Sequence, residues 1–398
     1  MNKILYLCPR FPYPPDRGDR IRSYNNIKNL AHFNQVRVLC FRDDNYSVEK
    51  MEKLKNELNV EVKTCSLNFC SLILSRIIAL LQGLPIHVAY FQSFEMEEEI
   101  ENSINEGYNC LYANLMRMAP YLEKFYYLVK DKVFLDLTDS LAINYLQRCS
   151  KAKGLKKIYL SFDSYATKKY EDKLLKQFKN IVVCSEIDKN YMKNSVPLAN
   201  ISVIPNAVNT DYFYNNDLFI KKGNVCVLTG TMDYFPNIEA ALGFVHKVMP
   251  FVMEKIPDLT FYIVGHRPSE KVLALRSNNV IVTGSVPDVR PFLKKAKAFV
   301  CFMNDGTGTQ NKVLEAMACG LPVVTTSNIA SALGFDESDG LLIADDYRLF
   351  ADKLIKLMQD DYYRIEKGET SIEAIKNKYS VSGIASVLRK YIESRYTI

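Results

Sequence analysis

Residues 306–324, GTGTQNKVLEAMACGLPVV, carry the densest chemistry in the chain. The hydrophobic run AFVCFM (298–303) before them reads as a buried strand, and LPVVTT after them as the next one. Between the two, a short helix is expected from about Thr309 to Gly320. Strand, loop, helix and strand in this order form one unit of a parallel α/β sheet. Gly306 and Gly308 allow a ligand close to the backbone. The helix N-terminus offers unpaired N–H groups and the positive end of a dipole, which suits a diphosphate. Lys312 and Glu315 are three apart and share a helix face. An ammonium one turn in can meet a phosphate, and a carboxylate can accept from both hydroxyls of a ribose diol. Spacing alone leaves a second reading open, a surface Glu315 simply paired to Lys312.

Further elements must position these groups. In the first half, KILYLC, QVRVLCF, VEVKTCS, NCLYAN, KVFLDL and NIVVCS read as strands, with amphipathic helices between them and a long helix over about 155–178. The second half repeats the plan with NVCVLTG, LTFYIVG, NVIVTG, AFVCFM and LPVVTT. Its helices are expected at about 236–254, 269–277, 288–296 and 309–319. Such alternation means parallel sheets with helices on both faces, which bind ligands beyond the carboxyl ends of the strands. Gly230, Gly265 and Gly284 end three of the strands and leave room there. A chain of 398 residues suits two domains, and the turn residues of IPNAVN (204–209) mark the boundary. At the end of the KVFLDL strand stands Asp139, with Asp136 three residues earlier. Asp139 reads either as a side chain facing a ligand or as a helix cap.

Other patterns narrow the class. The ten cysteines are scattered, without a Cys-x-x-Cys pair, as buried reduced thiols would be. No Asp-x-Asp pair and no His/Cys cluster has metal-ligand spacing, so no metal is expected. The first loop reads PDRGDR rather than G-x-G-x-x-G, which argues against a nicotinamide dehydrogenase. The N-terminal apolar run is too short and too soon broken by proline for a signal peptide. No run of about 20 apolar residues is present for a membrane-spanning helix. The segment FCSLILSRIIALLQGLP (69–85) is expected to be a core helix, with a lipid-touching interfacial segment as the alternative. Residues 151–179 hold nine lysines against Asp163, Glu171 and Asp172. They read as a solvated helix face, or as a patch for anionic headgroups or a polyprenyl-diphosphate acceptor. Nucleic acid is not expected, because no recognised module accompanies the charge.

Over nearly its whole length the chain resembles the family 4 glycosyltransferases. The carriers are RFPYPPDRGDRIRSYNNIKNLA (10–31), IPNAVNTDYF (204–213), VLTGTMDYFPNIEAA (227–241), FYIVGHRP (261–268), VTGSVPDVRPFL (282–293) and GTQNKVLEAMACG (308–320). GTMDYFPN together with GTQNKVLEAMACG is similar to a bacterial sugar-transferase subgroup linked with exopolysaccharide loci. The resemblance implies the α/β GT-B fold, two Rossmann-like domains facing across a cleft. It assigns 1–205 to the acceptor, 206–376 to the nucleotide-sugar donor, and 377–398 to a helix crossing back to the first domain. It implies retaining, metal-independent transfer from a nucleotide-diphosphate sugar, UDP before GDP, with no separate cofactor. The acceptor would be a glycan or polyprenyl-diphosphate-linked molecule in bacterial surface polysaccharide or glycolipid synthesis. The place would be the cytoplasm, with peripheral contact at the inner face of the membrane as a further expectation.

By the same resemblance the donor would meet Gly18, Gly230, Thr231, His266, Arg267, Ser285, Val286, Thr307, Gly308, Thr309, Gln310, Lys312 and Glu315. Asp19, Arg20 and Arg22 would contact the acceptor. Asp139 and Lys312 would serve catalysis, Asp139 at the transferred sugar and Lys312 at the leaving diphosphate. Two family features are absent: Thr307 stands where a first glutamate is usual, and 231–237 lacks the usual Arg and Lys. Lys312 and the helix N-terminus would then carry most of the charge stabilisation, helped by Arg267, Arg20 or Arg22. A nucleotide-sugar 2-epimerase and a non-catalytic nucleotide-binding protein are the alternatives.

Overall fold

Apolar runs such as Ile4–Leu7 and Val323–Val324 are wholly buried, as strands covered on both faces by helices must be. The computed structural model describes residues 2–15, 18–67, 77, 81–129, 132–214, 223–303 and 310–396. The chain divides into two units, Met1–Pro205 with Ile384–Ile398, and Asn206–Gly383.

Unit 1 is built on β1 (Lys3–Cys8), β2 (Gln35–Phe41), β3 (Glu61–Cys65), β4 (Cys110–Asn114), β5 (Val133–Thr138), β6 (Ile181–Val183) and β7 (Ile201–Val203). These form one parallel sheet in the order β3-β2-β1-β4-β5-β6-β7. The chain leaves β1 toward one edge and returns on its other side as β4. Loops after β1 and β4 therefore diverge, and the crevice they leave at the carboxyl ends is where such sheets bind ligands. The last helix, Val381–Tyr396, buries Leu388 and Ile392, worth about 1.5–3 kcal/mol each by area burial. Its Tyr391 ring meets Phe134 of β5 edge-on at 5.9 Å.

Unit 2 repeats the plan with β8 (Val225–Thr229), β9 (Thr260–Val264), β10 (Val280–Gly284), β11 (Ala298–Cys301), β12 (Val323–Thr325) and β13 (Leu341–Ile343). The order is β10-β9-β8-β11-β12-β13, all parallel, so the reversal falls between β8 and β11. The helix expected over 236–254 is interrupted. Its α-helical first part, Phe235–Gly243, widens into a π-turn at Phe244–Val248, where Met249 N–H bonds Phe244 O. Pro250 follows directly; it supplies no N–H for the ordinary bond to residue 246, and that shifts the register.

The long helix of the first half runs Gly154–Gln177, within a residue of its expected bounds. Most of 69–85 lies outside the described residues. Of that segment, Ile77 and Leu81 are exposed, Leu81 to 81%. Among the described residues no helix is long and apolar enough to cross a membrane.

Candidate functional site

In unit 2 the loops after β8, β9 and β10 are stitched together. Gly230 N–H donates to Val264 O at 3.0 Å, Gly265 N–H to Gly284 O at 3.1 Å, and Met232 N–H to His266 O at 2.7 Å. A Cβ on Gly265 would stand 1.6 Å from Gly230 O, so this approach admits only glycine. A Cβ on Gly230 would stand 2.7 Å from Asn237 Nδ2. The strand-ending glycines thus let Asn237 tuck beneath the first loop, where Nδ2 donates to Thr231 O at 2.9 Å.

Asn237 in turn accepts from Lys312 Nζ, on the helix Asn311–Ala318 that follows β11. Lys312 Nζ also lies 3.1 Å from Met303 Sδ. The lysine is buried, and burial pushes its ammonium below its ordinary pKa. Among the described residues it makes no ion pair. Glu315, one turn on, is half-buried, and its carboxyl makes no hydrogen bond or ion pair among the described residues. Burial raises its carboxyl to about 7, with the charge of Lys312 acting the other way. The simple Lys312–Glu315 surface pair is therefore not formed. A desolvated cation without a counter-ion and a desolvated acid without a hydrogen-bond partner for its carboxyl share one helix face. That state is costly, and a ligand bringing an anion to one and hydroxyls to the other would relieve both.

Around this pair, His266 Nδ1 lies 2.6 Å from Ser285 Oγ, and both residues are exposed. Arg267 is exposed, without a hydrogen bond or ion pair among the described residues, at a left-handed φ of 50°. Thr231 is exposed, and Val286 packs half-buried against the core. Gln310 caps the helix through its carbonyl, which accepts from Val313 N–H at 2.9 Å. Thr307, Gly308 and Thr309 lie outside the described residues. Two contributors escaped sequence reasoning. Asn237 anchors Lys312 across 75 residues, and Asn206 of the IPNAVN turn donates to Asn311 Oδ1 at 3.0 Å.

In unit 1, β5 ends with Thr138 at a left-handed φ of 67°, a conformation costing on the order of 1–3 kcal/mol outside glycine. Its pairing with β6 slips a residue there. The following helix, Leu141–Lys151, is capped by Ser140, whose Oγ accepts from Ile143 N–H. Asp139 is therefore not the cap. It is half-buried, with Oδ2 accepting from Asn144 Nδ2 at 3.1 Å. Burial first, and the charge of Asp188 second, raise its carboxyl to about 7.

Gly18 opens the helix Gly18–Ala31 in an exposed position. Asp19 pairs with Arg10, and Arg20 with Asp43 at 2.8 Å. One acceptor assignment is corrected. Arg22 is 3% exposed and forks onto the fully buried Asp136 at 2.9–3.0 Å, with Nη1 donating to Ile204 O at 3.0 Å. Asn26, Tyr112 and the Thr138 N–H also donate to Asp136, each at 3.0 Å. Arg22 and Asn26 are one helical turn apart, on the inner face, and so serve the core rather than an acceptor. Among the described residues no three His, Cys, Asp or Glu side chains gather as metal ligands would.

Residues 223–360 match the family model "Glycosyl transferases group 1". An uncharacterised 44.6 kDa protein of the Klebsiella pneumoniae cps region is 20% identical over 373 residues, covering 89% of this chain and 90% of that protein. Sucrose-phosphate synthase of Thermosynechococcus elongatus superposes with a TM-score of 0.73 at 15% identity, over 100% of both chains. HepE of Anabaena, in complex with UDP and glucose, gives 0.67 at 12% identity, over 99% of this chain and 100% of its own. The architecture, two parallel-sheet Rossmann-like units, is the GT-B fold.

Proposed function

We propose that this chain, whose residues 223–360 match the group 1 glycosyl transferase model, is a GT-B glycosyltransferase that moves a sugar from a UDP-sugar to a glycan or lipid-linked acceptor with retention. The observation that carries the reading is the Lys312–Glu315 face. It lies on the helix that follows β11, one of the two strands flanking the sheet reversal, with Lys312 locked by Asn237. Lys312 and the helix N-terminus would hold the diphosphate. Glu315 would hold the ribose, and Ser285 and Val286 would border the base. Asp139 would orient the transferred sugar. Charge stabilisation by Lys312 makes a metal unnecessary, and positioning does the rest. The leaving diphosphate oxygen takes the acceptor proton as the new glycosidic bond forms on the same face. UDP as the nucleotide of the donor is supported by the HepE complexes with UDP and UDP-glucose. A role in surface polysaccharide synthesis is supported by the cps-region relative.

A hydrolysis screen of nucleotide sugars, reading free nucleoside diphosphate, tests the reaction class. UDP release is expected; interconversion of the nucleotide sugar without release would instead make the protein an epimerase. Glu315→Gln should weaken UDP binding by roughly 1–3 kcal/mol, the worth of a charge-assisted hydrogen bond. Wild-type affinity should rise from about pH 6 to about pH 8 as the carboxyl gives up its proton, and the Gln variant should rise less, keeping only the share due to the terminal phosphate of UDP. Calorimetry showing equal affinities for both proteins would remove the ribose role.

Contact with the membrane surface belongs to the same proposal. On the helix Gly154–Gln177, Ile158, Phe162 and Tyr165 form one exposed stripe. Exposed Lys153, Lys157 and Lys169 accompany it. An apolar stripe with cations suits reversible adsorption on anionic lipid. The protein should float with anionic vesicles at low salt, and less so at high salt or with neutral vesicles. Recovery in the soluble fraction under every condition would discard the contact.

A further inference from the structure

At the end of β4 the backbone turns through Leu115, at a left-handed φ of 70°, into the single turn Met116–Met118. Adjacent β5 closes in the same strained way at Thr138. Backbone of this kind persists where a site demands it, and these two turns present Arg117 and Asp139. Arg117 has an unusual environment. Its guanidinium lies over the Phe91 ring at 5.6 Å, and its Nε is buried without a hydrogen-bond partner. Among the described residues it has no ion pair. The acids that its charge feels are Asp19 and Asp139. Asp19 is taken by Arg10, and Asp139 is bonded to Asn144. Burial and the like charge of Arg10 both push the Arg117 guanidinium below its usual value.

A second polar atom nearby is also open. The short helix Ile86–Ala89 packs on Met116–Met118 and carries His87, whose Nδ1 is buried and unpaired. Its Nε2 lies 3.2 Å from Thr167 Oγ1, and its ring stacks on Tyr145 at 5.2 Å. Burial, then the charges of Arg117 and Arg148, lower His87 to about 3, so the imidazole is neutral. Arg148 lies over the other stacking partner, Tyr145, at 5.1 Å. Asp163 also faces this neighbourhood, but it accepts from Ile86 N–H at 3.1 Å and from Tyr145, so the Arg117 Nε is left without an acceptor. Arg117 is half-buried, its Nε is closed off without a partner, and its planar fork matches the oxygens of a phosphate. Arg10 follows β1 and Arg117 follows β4, the two strands that flank the reversal in unit 1, where open α/β sheets take ligands.

We propose that Arg117, with Arg10 beside it, is the receptor for a phosphate or diphosphate group carried by the acceptor. This rests on the transferase reading, and it narrows the acceptor to a molecule with an anionic oxygen group.

The test uses the full chain saturated with UDP, titrated by calorimetry with geranyl diphosphate and with inorganic pyrophosphate. Geranyl diphosphate should bind in the presence of UDP, at least about ten-fold tighter than pyrophosphate because its prenyl chain is part of the acceptor. Arg117→Gln should lose about ten-fold or more of that affinity, and Arg117→Lys less, with UDP affinity unchanged in both. Ligand-free Arg117→Gln should melt no lower than wild type, since the Arg117 side chain makes no hydrogen bond or ion pair among the described residues. A lower melting temperature would make Arg117 a structural residue and overturn the proposal. So would geranyl diphosphate binding that UDP abolishes, which would place it in the donor site, or equal affinity for both probes. Absence of UDP binding and of nucleotide-sugar hydrolysis in the wild type would defeat the transferase reading instead, independently of the Arg117 variants.

Discussion

Asp139→Asn should lower turnover by about ten-fold or more, ~1.4 kcal/mol of barrier, and leave the fold intact. Asn retains an oxygen for Asn144, and the helix keeps its own cap in Ser140. What is lost is the titrating carboxyl. Its folded pKa of about 7 lies above the ordinary carboxylate value, so folding favours the protonated form. The stability it contributes is full below about pH 4 and is lost as pH rises through about 7. Wild-type melting temperature should therefore fall across that window, and the Asn variant should fall less. Wild-type turnover should inflect near pH 7, and the variant should not. Turnover and melting measured together at several pH values separate the roles. A variant with normal turnover and only the altered stability slope would leave Asp139 as a buried acid with no part in catalysis.

The carboxylates of this neighbourhood show what a sequence conveys. Strand positions were readable because each strand is an apolar run covered on both faces, and parallel sheets leave no other pattern. Glu315 and Lys312 were readable because both stand on one short helix behind a glycine loop, where spacing equals geometry. Asp139 was placed at the strand end, but its environment was not. Asp188 and Asn144, which set its acidity from opposite sides, come from other elements. Arg22 was misread for the same reason. Its neighbours in sequence look like a charged loop, while its partner Asp136 is 114 residues away. The one available signal was the i, i+4 spacing of Arg22 and Asn26, which puts them on one face of the helix with Ile27 and Leu30 close by. Arg117 gave none. NLMRMAP has no chemical motif, and the guanidinium acquires meaning only because the backbone turns at Leu115 and Phe91 covers its face. Asn237 was visible as part of TMDYFPN, but its hold on Lys312 depends on two glycines meeting at a distance that no side chain would allow.

Lys312 should produce the largest loss in donor binding. Its ammonium is buried, held below its ordinary pKa by burial, and without a counter-ion among the described residues. A diphosphate arriving there gains a cation whose dehydration has already occurred, so the contact is worth more than at an exposed lysine. Lys312→Ala should weaken UDP by roughly 2–3 kcal/mol, about 30- to 150-fold in Kd, and uridine by less than about 0.5 kcal/mol. The alanine also opens a cavity beside Asn237 and Met303, which would lower stability. Lys312→Met controls for this, since it keeps the apolar stem and removes only the charge. It should show the same selective loss of UDP with a melting temperature near that of wild type. Equal losses of UDP and uridine in the Met variant would mean that the lysine only braces Asn237 and the first loop. The helix N-terminus alone would then have to carry the charge of the leaving group.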